Sequence, residues 1–198
     1  MAETGVAVAI VVDSTDDSGT GRIRVRYPWQ GESAETYWAR VATPMAGKGR
    51  GVYFLPEVED EVLLAFEHGD ARFPYVLGAL WNGQDKPPES NENGENNIRS
   101  IKSRSGHVIR LNDTDGEEKI EIIDKSGKNT IVIDTAKNAI TLTSEKDITL
   151  SASKGTIKLD AQKIEIKSSA ETKIVSGAGM DVKATGTMNV KGATVNIN

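Results

Sequence analysis

The chain has 198 residues, 37% of them hydrophobic and only 5% aromatic, which is thin for one large conventional core. Lys and Arg number 24 against 29 Asp and Glu with both signs interspersed, so the net charge of -5 argues against a nucleic-acid surface and against attraction to anionic lipid. The absence of cysteine excludes a disulfide framework and a thiolate metal site, leaving burial or assembly as the source of stability.

At the N-terminus, VAVAIVV (6–12) follows an acidic residue rather than a basic region, and no later run approaches the ~20 apolar residues of a membrane span. We read no signal peptide and no transmembrane helix. Residues 6–12 and RIRVRY (22–27) are predicted strands, the second alternating Ile23, Val25 and Tyr27 against Arg22, Arg24 and Arg26. DSTDDSGTG between them has the composition of a turn. TYWARVATP (36–44) is a third strand, residues 47–70 a hairpin bent at Pro56 to Asp60, and RFPYVLGALW (72–81) a further strand. With glycines at the bends and no helical periodicity, the expectation is all-β: a five-stranded barrel of the OB type over residues 1–81.

Three features of this half invite a chemical reading. His68 beside Asp70 has the residue types of an acid/base pair, but no nucleophile or orienting third group is near in sequence, and a structural loop end is the expectation. GKGRG (47–51) lacks Walker spacing and precedes a strand, so a turn is expected. RIRVRYPW carries the arginine and aromatic mixture of oligonucleotide-binding barrels, which keeps open a second reading: a trimeric stalked module whose barrel binds oligonucleotide or glycan.

Every aromatic residue lies between Tyr27 and Trp81. NGQDKPPESNENGENN follows, rich in Pro, Asn, Gly and Glu, and marks a linker over 82–98. Beyond it, apolar pairs spaced two apart start at Ile120, Ile131, Ile140, Ile148, Ile157, Ile164, Thr172, Met180, Met188 and Val195, at intervals of 11, 9, 8, 9, 7, 8, 8, 8 and 7. Within a pair both side chains face one way and the residue between faces the other, so each unit is a short strand with one dry face, followed by a corner of small and polar residues. A helix would scatter these pairs, and collagen needs glycine at every third position.

One chain winding alone over residues 117–198 would make only a short stub. Three intertwined copies would supply about ten layers, roughly 50 Å at ~4.8 Å each, with every pair facing pairs of the other chains. The expectation is a homotrimeric, intertwined triple-stranded β-helix, or prism, over 99–198. Its shared core is Ile148, Leu150, Ile157, Leu159, Ile164, Ile166, Ile174, Val182, Met188 and Val190. A trimeric acyltransferase solenoid would need a six-residue period that these intervals lack.

The order of barrel, polar linker and octad prism resembles the central spikes of contractile injection machines: the bacteriophage baseplate assembly protein V family and the VgrG spikes of type VI secretion. The likeness is carried by GRIRVRYPW, YWARVATPMAGKGRGVYFLPEVEDEVLLAFEHGD, PYVLGALWNG and SRSGHVIRLNDTDGEEKIEI. It implies a non-enzymatic part, without cofactor, assembled in the cytoplasm into a phage tail or tail-like particle. The barrels would sit on a hub protein at the end of the tail tube, and the prism would be driven through a target envelope.

The chain departs from the family in lacking the large N-terminal hub domain of VgrG proteins, a lysozyme domain at the linker, and the His-x-His metal tip of many phage spikes. We therefore expect a separate hub or a longer natural chain, no cell-wall hydrolysis and no tip metal. The resemblance further implies a PAAR-like conical protein seated on the last layer, at Thr194, Val195, Asn196, Ile197 and Asn198. His107 is expected to pack at the junction of barrel and needle, and Asp113, Asp115, Glu117 and Glu118 to form a solvated loop rather than a calcium site.

Overall fold

The computed structural model describes residues 5–31 and 36–197. It divides into two compact units, residues 1–146 and 147–198.

In the first unit, β1 (Val6–Asp13), β2 (Arg22–Arg26) and β3 (Tyr37–Val41) are joined by antiparallel pairings. β3 reaches the later strands through a parallel pairing, a connection that a simple meander cannot supply. A small hairpin follows, β4 (Ala46–Gly47) with β5 (Arg50–Gly51), and then β6 (Glu61–Phe66) and β7 (Pro74–Leu80). The order β1-β2-β3-β7-β6 closes on β1 as a barrel, as the alternation of apolar residues anticipates.

The barrel interior is made by the inward set of that alternation: Val11, Ile23, Val25, Tyr27, Val62, Leu64 and Val76 are fully buried around Ala9 and Ala39. Tyr27 stacks on Trp29 at 4.9 Å and meets Phe66 edge-on at 6.1 Å, while its hydroxyl donates to the Ala71 carbonyl at 2.6 Å. A large ring is thereby buried with its one polar atom satisfied.

The hairpin expected to bend at Pro56 to Asp60 is not formed as read. Residues 52–60 are irregular, and their turn is fixed by Glu57 N–H donating to the Asp60 carboxylate at 2.7 Å. The local hairpin is instead the GKGRG segment, where Lys48 and Gly49 connect β4 to β5. A Cβ on Gly51 would lie 2.7 Å from the Met45 carbonyl oxygen, so that close approach requires glycine.

Five more strands follow the linker: β8 (Ile98–Lys102), β9 (Val108–Asn112), β10 (Lys119–Ile123), β11 (Thr130–Asp134) and β12 (Ala139–Thr143). They pair consecutively as an antiparallel meander. The octad reading carried an intertwined prism back to residue 99, whereas residues 98–143 pair within one chain. The physical reason is turn length. The 11- and 9-residue intervals leave room for reversals at Asp124–Asn129 and Thr135–Asn138, with Gly127 (φ 72°) and Asn138 (φ 49°) in left-handed conformations.

In the second unit, the described residues 147–197 form no strand pairing within the chain. Only their corners are closed locally. Ser168 Oγ donates to the Glu171 carbonyl at 2.8 Å, and Ser176 Oγ to the Gly179 carbonyl at 2.7 Å.

Candidate functional site

Directly paired residues in an antiparallel sheet share a face, so the register of the meander sorts its side chains. Ile101 pairs with Ile109, Ile109 with Ile122, Ile122 with Ile131 and Ile131 with Leu142. One row on, Leu111 pairs with Ile120, Ile120 with Ile133 and Ile133 with Ile140. Nine Ile and Leu side chains therefore occupy one face. They are exposed by 40% at Ile133 to 77% at Ile140, far more than a stable isolated sheet leaves to water.

The opposite face carries Ser100, Arg110, Glu121, Val132 and Thr141 in one row. It has partners in its own chain. Arg110 pairs with Glu89 of the linker at 2.8 Å and lies 3.8 Å from Glu121, while Lys119 lies 3.9 Å from Glu121. The linker is thus fastened to the polar face and leaves the apolar one uncovered. That inversion of the usual arrangement, polar side covered and apolar side open, is the main functional signal of the first unit.

The ten residues expected to form a shared core repeat the pattern in the second unit. Their exposures run from 48% at Met188 to 71% at Ile166, and their strand segments find no backbone partner among the described residues. An extended segment with unpaired N–H and C=O groups and a one-sided apolar row has the physical requirements of a strand whose ladder lies on another chain. Of the expected seat, Ile197 is 91% exposed and Val195 half-exposed, and Thr194 and Asn196 are exposed; Asn198 lies outside the described residues.

The barrel features resolve into structural roles. Asp70 is engaged by Arg72 at 2.6 Å, and that hydrogen-bonded guanidinium lowers the carboxyl to about 2; His68 sits in a 3₁₀ turn with φ 50°. Two of the arginines of RIRVRYPW lie over one of the barrel's own rings, the Arg22 and Arg24 guanidiniums 5.2 and 4.6 Å from the Trp38 centroid, and Arg40 of β3 lies 5.6 Å from that of Tyr75. Trp38 is capped by these cations rather than offered as a stacking platform for bases.

His107 ties two turns together. Its Nδ1 accepts the Lys125 N–H at 3.2 Å, and its own N–H donates to Ser103 Oγ at 3.0 Å. Asp113 of the acidic loop pairs with Arg99. Among the described residues no group of three or more His, Asp or Glu is gathered to hold a metal ion.

The sequence reading missed Asp16. Its carboxylate accepts from the backbone N–H of Ser18, Thr20 and Arg22, from the hydroxyls of Ser18 and Thr20, and from the Arg22 guanidinium at 2.9 Å. These bonds, the Arg22 side chain's first and that of Ser18 next, hold its pKa far below the usual carboxylate range. The turn composition of DSTDDSGTG was visible, but which aspartate would organise it was not.

Residues 7–81 match the type VI secretion system/phage-baseplate injector OB domain. The chain is also similar to type VI secretion system spike proteins of Pseudomonas aeruginosa. It is 34% identical to VgrG4b over 109 residues, half of this chain and 14% of that protein, and 31% identical to VgrG5 over the same length and shares. Similarity to VgrG1a is 28% over 123 residues, covering 57% of this chain and 19% of the relative. The chain therefore spans less than a fifth of the length of these relatives.

Proposed function

We propose that this chain, which belongs to the phage baseplate V and VgrG family by its injector OB domain, is a structural, non-enzymatic central spike of a contractile injection machine. The observation that carries the reading is the uncovered apolar row on β8 to β12, followed in sequence by apolar pairs that have no ladder of their own. Three copies, each contributing that row and its octads, would bury both. The active form is then a homotrimer, with the barrel at residues 1–81, the linker at 82–98, the single-chain meander β8 to β12 packed through its apolar row, and an intertwined β-helix over residues 147–198.

Mechanically, such a body would be stiff because the octad segments after residue 147 would pair between chains and their corners are short. A narrow prism of this kind transmits axial force to a target envelope without needing a reaction. The barrels would meet a hub protein at the tube end. The exposed segment Thr194–Ile197 would carry a PAAR-like tip protein or cargo. Assembly in the cytoplasm, followed by delivery to the target envelope, fits this role.

Pull-down of a PAAR-like tip protein by the full chain, but not by Ile197→Asp, tests the seat; equal capture by both would remove it. The oligonucleotide-binding alternative expects tight single-strand binding that weakens steeply with salt. The capping of Trp38 by Arg22 and Arg24 argues against it.

A further inference from the structure

The apolar row of the meander does not stop at β8. Ile101 and Arg104 line the same cleft as Tyr53, Phe54, Leu55 and Val58 of the irregular segment that follows β5. Tyr53 and Phe54 are 78% and 68% exposed, among the most exposed aromatic rings in the barrel.

This segment is not a slack loop that happens to show two rings. At its start, Val52 N–H donates to the Met45 carbonyl at 3.0 Å, and Thr43 Oγ1 donates to the Val52 carbonyl at 2.7 Å. At its end, Glu59 N–H donates to the Val11 carbonyl at 2.9 Å, and Val11 N–H to the Asp60 carbonyl at 3.0 Å. Arg104, in the turn after β8, pairs with Glu57 at 2.7 Å and fastens the segment beside the meander. Two adjacent aromatic rings held in water by a pinned backbone cost little further conformational entropy on docking, which is the character of an interface anchor.

We infer that Tyr53 and Phe54 of each protomer pack against a neighbouring copy of this chain, extending the trimer contact from the meander onto the barrel. A second copy is the occupant because the rings share a cleft with Ile101, and Ile101 belongs to the apolar row that the trimer covers. The inference rests on the trimeric reading above, and it adds an anchor that the octad pattern does not contain.

The chain has no cysteine, so Phe54→Cys and Tyr53→Cys each introduce a single thiol whose reaction with a maleimide reports its exposure. Ser90→Cys, on the exposed part of the linker, is the reference. In full-length protein of trimeric mass, both barrel thiols should react at least about tenfold more slowly than the reference, and the difference should vanish in denaturant. Loss of the trimer in both barrel variants, with the wild type trimeric, would equally support the anchor. A trimer in which both thiols react as fast as the reference would overturn this inference and leave the trimer standing. A monomeric wild type would overturn the trimeric reading itself, and the anchor with it.

Discussion

At the scale of single residues, Asp16 shows how one carboxylate organises a loop that would otherwise be entropy alone. Its side chain is nearly inaccessible, and six donors converge on it from Ser18, Thr20 and Arg22. Because its folded pKa is depressed below the ordinary 3.8, the stability it contributes is present above that value and is lost as pH falls below it. All three tryptophans lie in the barrel half, so their fluorescence selects this transition. Asp16→Asn should lower the barrel's melting temperature at neutral pH and flatten its dependence on pH below 3.8; parallel pH profiles for the two proteins would contradict the assignment. Tyr27→Phe removes the hydroxyl that donates to the Ala71 carbonyl and should cost about 1 kcal/mol, read from denaturant midpoints of the same signal.

At the scale of elements, the two halves fold under different rules. Barrel strands such as β2 and β6 alternate one buried and one outward residue, and that period is plain in RIRVR and EVLLAF. This is why the five-stranded barrel could be read from the chain, while the segment at 52–60 could not: its shape is set by hydrogen bonds with Thr43 and Met45 at its start and with Val11 of β1 at its end, which no sequence pattern marks. The meander was partly legible in the same way. Its apolar pairs were visible, but the choice between reversing within one chain and winding around others depends on a few turn residues, including Gly127 and Asn138. Leu64→Ala, in the closed core, should destabilise the barrel by about 2–5 kcal/mol without changing assembly, checked by unfolding and by mass. Ile174→Asp and Val190→Asp should do the reverse: each places a charge where chains would share a dry core and should abolish the trimer while the tryptophan signal of the barrel persists. A normal trimer from either would mean that the dry and wet faces are reversed.

At the scale of the whole molecule, the chain is incomplete as a folded object in a definite sense. The barrel closes its ladder and buries its inner residues, but the apolar row from Ile101 to Leu142 and the pairs from Ile148 onward lie exposed. The family likeness accounts for the barrel; in the proposed trimer, a stalk that is stable only when shared would make assembly and stiffness a single event. Stability of the second half should therefore depend on protein concentration, whereas that of the barrel core should depend on it much less. The mass of the full chain in solution, measured by light scattering, tests this most directly. A trimeric spike gives a species of about three times 21.3 kDa that persists on dilution, and a monomer near 21.3 kDa would contradict the trimer.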